Sequence, residues 1–146
     1  MIKRSGRCSG FTLMGILVVM VIIGILAALV APRLINKTDS ARVTEAEIQI
    51  KNLETALKLF RMDNGFYPST EQGLSALIEP PGIGLIPEHF RPGGYLDKKA
   101  VSPDPWGNNY IYIAPGAQGE YDIISYGADG IPGGEKHNAD ISNWDD

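Results

Sequence analysis

The stretch "SYGADGIPGGEKHNADISNWDD", residues 125–146, interleaves carboxylates, amides and hydroxyls with glycine turns. Side chains of these types gather oxygen ligands around a hard cation, because Ca²⁺ takes six to eight oxygens at about 2.3–2.6 Å. The spacing is not that of an EF-hand loop, since no Glu closes it at the twelfth position. A solvated acidic tail has the same composition, and the residues alone favour that plainer reading. Other chemistry is thinly represented. His89 and His137 lie far apart in sequence with no third partner, so neither reads as a metal ligand or a catalytic group. No nucleophile context, phosphate-cradling glycine loop or paired-carboxylate site is evident, and the chain does not read as an enzyme. Trp106 and Trp144 read as packing residues rather than ligand platforms.

The elements that must hold the acidic loop begin with two strand candidates, "YIYIA" (110–114) and "YDIIS" (121–125), joined by a short Pro/Gly-containing connection. They predict a hairpin, with a third strand from the tail or from residues 94–101. Ahead of them, residues 82–109 are dense in Gly and Pro and read as loop. "FYPSTEQGLSALIEPP" predicts a turn and then a short helix over 71–78, capped by Ser69 or Thr70 and stopped at Pro80-Pro81.

The apolar face of the hairpin needs a partner, and residues 41–64 supply one. Val43, Ala46, Ile50, Leu53, Leu57 and Phe60 recur at helical spacing, with the charged residues largely elsewhere on the wheel. Glu47 and Lys51, and Glu54 and Lys58, stand four apart with the acid first, the favourable order. Asn64-Gly65 supplies the stop.

The segment before this face is apolar all round. From Phe11 to Ala31, twenty-one residues contain only Thr12 as a polar side chain. A helix of that length spans roughly 31 Å, which matches a hydrocarbon core of about 30 Å. Lys3, Arg4 and Arg7 precede the run and place that end in the cytoplasm by the positive-inside rule. Three readings compete: a cleaved secretory signal, a plain membrane anchor, or a helix retained as a building part. The run exceeds the usual signal-peptide core, and no strict Ala-x-Ala closes it. Pro32 follows directly and tends to kink a helix. The helical pattern nevertheless resumes beyond it, which predicts one helix of about fifty residues, roughly 75 Å if straight.

The composition fits this organisation. The 146 residues, 44% hydrophobic, provide one small domain plus the apolar run. The net charge of −4 comes without a basic face on the folded part, so no nucleic-acid partner is expected. Cys8 is the only cysteine, which excludes an intrachain disulfide. The fold class is α+β: a long N-terminal helix packed on a small antiparallel sheet.

"GFTLMGILVVMVIIGILAALVAPRL" resembles the N-terminus of type IV pilins and pseudopilins, in which a short basic leader ends in Gly before Phe-Thr-Leu and an apolar helix. "DPWGNNYIY", "YDIISYGADGIPGG" and "ADISNW" resemble the major pseudopilin of the type II secretion system. The resemblance implies a pilin-like fold with four parts: a leader over 1–10, a transmembrane and fibre-core helix over 11–31, the amphipathic half of that helix over 32–64, and a periplasmic globular domain over 65–146. It implies cleavage after Gly10 by a prepilin peptidase, N-methylation of Phe11, and polymerisation with copies of itself into a helical fibre that exports folded proteins. Minor pseudopilins and an inner-membrane assembly platform are the further partners implied, with lipid as the contact before assembly. The implied location is the bacterial inner membrane, crossed once, with the N-terminus cytoplasmic and the C-terminal domain periplasmic.

The family also carries a structural Ca²⁺, which assigns its ligation to the Asp129 and Asp140 carboxylates and the Tyr126 backbone carbonyl, with Asn138 and Ser142 as lesser candidates. Such an ion pins a tail with too few apolar residues to fold by burial alone.

One position departs from the pattern. Where the family has Glu at the fifth mature residue, this chain has Gly15. That carboxylate is held to attract a neighbour's N-terminal amine, a poorly screened contact at that depth. Three explanations stand open: a subunit placed where the pair is not needed, natural divergence, or an introduced substitution. Two further functions remain as alternatives, a type IV pilin for adhesion, motility or DNA uptake, and a monomeric membrane-anchored calcium-binding module of the periplasm.

Overall fold

The computed structural model describes residues 13–145, and their side chains except at 29–37. The leader 1–10 and the processing positions Gly10 and Phe11 lie outside the described residues. The described elements are a long helix α1 (Leu13–Asn64), a 3-10 turn (Leu74–Leu77), strands β1 (Ile111–Ile113) and β2 (Asp122–Ser125), a second 3-10 turn (Lys136–Asn138) and β3 (Ile141–Ser142). Contacts divide the chain into two units that part between Thr38 and Asp39.

In the first unit, α1 exposes apolar side chains in every direction, including Leu13, Leu17, Val21, Ile25 and Leu26. This is the all-round apolar surface expected of the run, and α1 runs on through position 32, as the pattern that resumes beyond Pro32 predicts. Among the described residues no helix is long and apolar enough to cross a membrane. Side chains of the apolar run are described only from Leu13 to Ala28, short of the ~20 residues that a span requires.

The second unit is built on the other half of α1. Ala46, Ile50, Leu53, Leu57 and Phe60 are buried and Val43 is half-buried, so the face read from the spacing is the face that packs. Ala56, which the spacing also places there, is buried with them. Their partners are Leu74, Leu77, Tyr95, Tyr110, Tyr112, Tyr121, Ile123 and Ile141. Fully burying a side chain the size of Leu, Ile or Phe is worth about 1.5–3 kcal/mol, which makes this seam the main source of the unit's stability. Of the two ion pairs the helix spacing predicted, Glu54 and Lys58 approach to 3.9 Å. The helix stops where expected: the Gly65 N–H, at φ 85°, donates to the Arg61 carbonyl at 2.7 Å. Asn64 donates to both the Phe60 carbonyl and the Tyr95 hydroxyl, which fixes the helix end against the following loop.

The sheet has the order β1-β2-β3, antiparallel throughout, with Tyr112 opposite Ile123 and Ser125 opposite Ile141. The third strand comes from the tail rather than from residues 94–101. Asn143 extends the pairing, since its amide oxygen accepts from the Ile123 N–H and its N–H donates to the Ile123 carbonyl.

The segment read as a helix over 71–78 is a turn followed by a single 3-10 turn, because Gly73 at φ 61° breaks the α-helical path. The 3-10 turn itself starts after Gly73 with no side-chain cap, and Ser69 rather than Thr70 caps the turn before it. Ser69 and Gln72 exchange side-chain to backbone hydrogen bonds at 2.9 and 3.3 Å, a reciprocal capping box. Thr70 is instead bonded to both backbone groups of Ala114, which joins this turn to the end of β1.

Three buried tyrosines tie the sheet to its surroundings. Tyr110 donates to Gln49, Tyr112 to the Pro68 carbonyl and Tyr121 to Glu54. Burial, with further contributions from nearby carboxylates at Tyr110 and Tyr121, pushes all three phenols well above the usual range near 10. The folded state therefore holds these protons more tightly than the unfolded chain. Their stabilisation is complete below about pH 10, where both states are protonated, and is lost as the pH rises beyond it. Thermal melts of the full chain at stepped alkaline pH are expected to fall from about pH 10, and a Tm that stays level to pH 12 contradicts this.

Candidate metal-binding loop

The loop from Tyr126 to Asp140 connects β2 to β3 and is closed at its neck by backbone contacts. The Ala128 N–H donates to the His137 carbonyl at 2.9 Å. Gly127, at φ 65°, passes directly over residues 137–139: a Cβ at this position would lie 2.8 Å from the Ala139 oxygen and 2.9 Å from the His137 oxygen. Only glycine permits this approach, and the approach is what brings the start of the loop, at Tyr126, beside its end, at Asp140.

Both candidate carboxylates turn in on the tip between them. Asp129 accepts from the Ile131 N–H at 3.1 Å, and Asp140 accepts from the Gly133 N–H with both oxygens, at 2.9 and 3.0 Å. Asn138 and Asp140 are half-buried while the tip residues are exposed. Tyr126 sits at the neck, half-buried, immediately before Gly127. Ser142 lies apart from this arrangement: it is buried in β3, and its hydroxyl donates to the Asp145 carboxylate, which also accepts the Ser142 N–H at 3.1 Å.

The donor set consists of oxygens. Among the described residues no three His, Cys, Asp or Glu side chains gather as a metal cluster. Oxygen donors of these types are what a hard cation takes, where zinc prefers nitrogen and sulfur.

His137 stands outside this donor set and points to the helix, with its Nδ1 3.9 Å from Asp39. His89 contributes backbone groups: its N–H donates to Asn64 and its carbonyl accepts from the Tyr95 hydroxyl. Trp106 packs partly buried against the core, as read, but its indole N–H is buried without a partner. Trp144 is 42% exposed and so packs less than the sequence suggested.

Sequence reasoning did not single out three residues beneath the loop. Asp104 is only 3% exposed, and its carboxylate accepts from the Trp106 and Asn108 N–H groups and from the Ser125 hydroxyl. Asn108 donates through its side chain to the Gly127 carbonyl at 3.1 Å. The turn-forming stretch "DPWGN" carries a local signal for the Asp104 turn, in which an Asp side chain caps nearby N–H groups. Nothing local reveals that this turn meets Ser125.

A family model described as type II secretion system (T2SS), protein G, matches residues 33–144, and one described as the prokaryotic N-terminal methylation motif matches residues 5–31. The chain is 51% identical to the type II secretion system core protein G of Pseudomonas aeruginosa, over 94% of this chain and 95% of that protein. It is 44% identical to the protein of the same description from Vibrio cholerae, over 97% and 95%. Among solved structures it resembles the major pseudopilin from the type 2 secretion system of enterohaemorrhagic Escherichia coli, with a TM-score of 0.66 and 38% identity, covering 77% of this chain and 95% of that one.

Proposed function

Since the chain belongs to the type II secretion system protein G family and is a pseudopilus subunit, we propose that its apolar helix serves in turn as membrane anchor and fibre core. The observation that carries this reading is the protein G match over residues 33–144, preceded by the methylation motif over 5–31. In this proposal a prepilin peptidase cuts between Gly10 and Phe11 and the new terminus is methylated. The run over 11–31 crosses the inner membrane once, with the globular part in the periplasm.

Helices in lipid gain little from the hydrophobic effect and associate through close packing of small residues. Gly24, with open space where a Cβ would stand, and Ala27 and Ala28 provide such positions. Copies of the chain then leave the membrane with their helices bundled, aided by minor pseudopilins and an assembly platform, and the growing fibre drives folded proteins outward.

Calcium has a structural part in this reading. The Asp129 and Asp140 carboxylates and the Tyr126 carbonyl hold it, supplemented by Asn138, and it fastens a loop that has almost no apolar side chain to bury. Ser142 belongs to the same proposal only as a lesser candidate, because its hydroxyl is engaged by Asp145.

Gly15 removes the family carboxylate, so in this chain packing of the helices rather than that ion pair sets the subunit register. The test is co-expression of the full chain with a prepilin peptidase and the assembly machinery, in calcium. Mass spectrometry is expected to find a mature chain beginning at methylated Phe11, and electron microscopy to find fibres. The Gly15→Glu variant, which replaces a helix-interior glycine costing about 1 kcal/mol and restores the carboxylate, is expected to give more fibres. An uncut chain, or a processed one that stays monomeric, overturns the proposal.

A further inference from the structure

Asp104, Ser125 and Asn108 form a directed chain of hydrogen bonds that ends on the neck of the loop. The Asp104 carboxylate is buried and, when ionised, can only accept. One of its oxygens takes the Trp106 and Asn108 N–H groups at 3.1 and 2.8 Å, and the other takes the Ser125 hydroxyl at 2.6 Å. Ser125 is fully buried and has a single proton to give, so committing it to Asp104 leaves only its lone pairs for other partners. Those lone pairs face the Gly127 N–H, at 3.3 Å. The carbonyl of Gly127 is held in turn by the Asn108 side chain at 3.1 Å.

The backbone consequence follows from planarity. In a trans peptide the N–H and C=O point in opposite directions, so anchoring the Gly127 N–H on Ser125 aims the carbonyl of the same peptide, that of Tyr126, away from the Ser125 hydroxyl. Asn108, gripping the next carbonyl, holds the following peptide and stops the first from rotating. The peptide on which the proposed Tyr126 ligand depends is therefore held at its N–H, and the peptide after it at its carbonyl, by residues that do not belong to the loop.

We propose that Asp104, Ser125 and Asn108 are positioning residues for the cation site: they pre-set the Tyr126 carbonyl and thereby set calcium affinity, without touching the ion. This rests on the calcium reading above. A positioning role and a merely structural one differ in where the loss appears. Loss of a structural bond lowers stability equally with and without calcium, whereas loss of pre-organisation lowers the calcium-dependent part.

The test uses the full chain in detergent micelles, titrated calorimetrically with calcium chloride and melted in EGTA and in saturating calcium. Asn108→Ala is expected to weaken calcium binding about tenfold, to lower the melting temperature in EGTA modestly through the lost hydrogen bond, and to lower the melt in calcium by more, so that the rise calcium produces shrinks. Ser125→Ala, which also strips a donor from buried Asp104, is expected to lower both melts but the calcium melt more, and Ser125→Thr, which keeps the hydroxyl, to recover the affinity. Unchanged calcium affinity in Asn108→Ala, or equal losses in EGTA and calcium for both alanine variants, overturns the positioning role while leaving the calcium reading intact. Absence of calcium binding by the unaltered chain overturns the calcium reading, and this proposal with it.

Discussion

Phe60→Ala is expected to remove about 3–5 kcal/mol of folding free energy, measured by urea unfolding of the full chain in detergent with tryptophan fluorescence as the probe. Phe60 has no exposed surface and is the largest fully buried side chain in the core. Its ring is met edge-on by Phe66 and Phe90, with centroids 5.5 and 6.5 Å away, and at a tilt by Tyr95 at 5.2 Å. Each of these pairs adds to plain burial, and all three partners come from the irregular chain beyond α1. Truncation leaves a cavity that a helix on one side and three aromatic rings on the other cannot close. Since domains of this size are stable by about 5–15 kcal/mol in total, the variant sits near the edge of folding. Met62→Ala, two residues away at a 79% exposed position, is the control and is expected to change stability by less than about 0.5 kcal/mol. A loss below about 1 kcal/mol at Phe60 contradicts this account of the core.

The contrast between Phe60 and Met62 is legible in the amino-acid sequence, because helical periodicity alone separates a buried face from an exposed one. The same holds for the stop at Asn64-Gly65 and for the hairpin, whose observed register places Tyr112 opposite Ile123. What periodicity does not supply is anything that depends on a single backbone angle or on a meeting of distant segments. Gly73 is visible as a residue, but that it adopts a positive φ and reduces the expected helix to a 3-10 turn is a single backbone angle that its residue type permits without dictating.

The loop shows the same limit at the level of the site. Asp129 and Asp140 stand out in the sequence because carboxylates are chemically distinct. Backbone carbonyls belong to every residue, so which of them face a cation is not written in residue types at all. Nor is the support beneath the loop legible there, since the Asp104 to Ser125 bond joins residues twenty-one apart in sequence.

Gly127→Ala is expected to cost on the order of 3 kcal/mol and, under the proposal that the loop holds calcium, to abolish the rise in melting temperature that calcium produces. Two costs combine. An alanine in the left-handed region carries strain of about 1–2 kcal/mol, and opening the neck sacrifices hydrogen bonds worth about 0.5–1.5 kcal/mol each. The neck must open because the new Cβ would stand 2.8–2.9 Å from backbone atoms of residues 137–139, which no side-chain rotation can relieve. The Ala128 to His137 bond and the Asn108 grip on the Gly127 carbonyl are lost in that movement. Gly133→Ala isolates the first cost from the second. Gly133 also has a positive φ, of 92°, but open space where its Cβ would lie, so strain of about 1–2 kcal/mol is all that is expected there. Paired melts of the two variants in EGTA and in calcium decide the matter. If Gly133→Ala loses as much stability and as much calcium response as Gly127→Ala, backbone strain alone governs the loop. If Gly127→Ala alone loses the response, the close passage over residues 137–139 is what joins the two ends of the loop into one cation site.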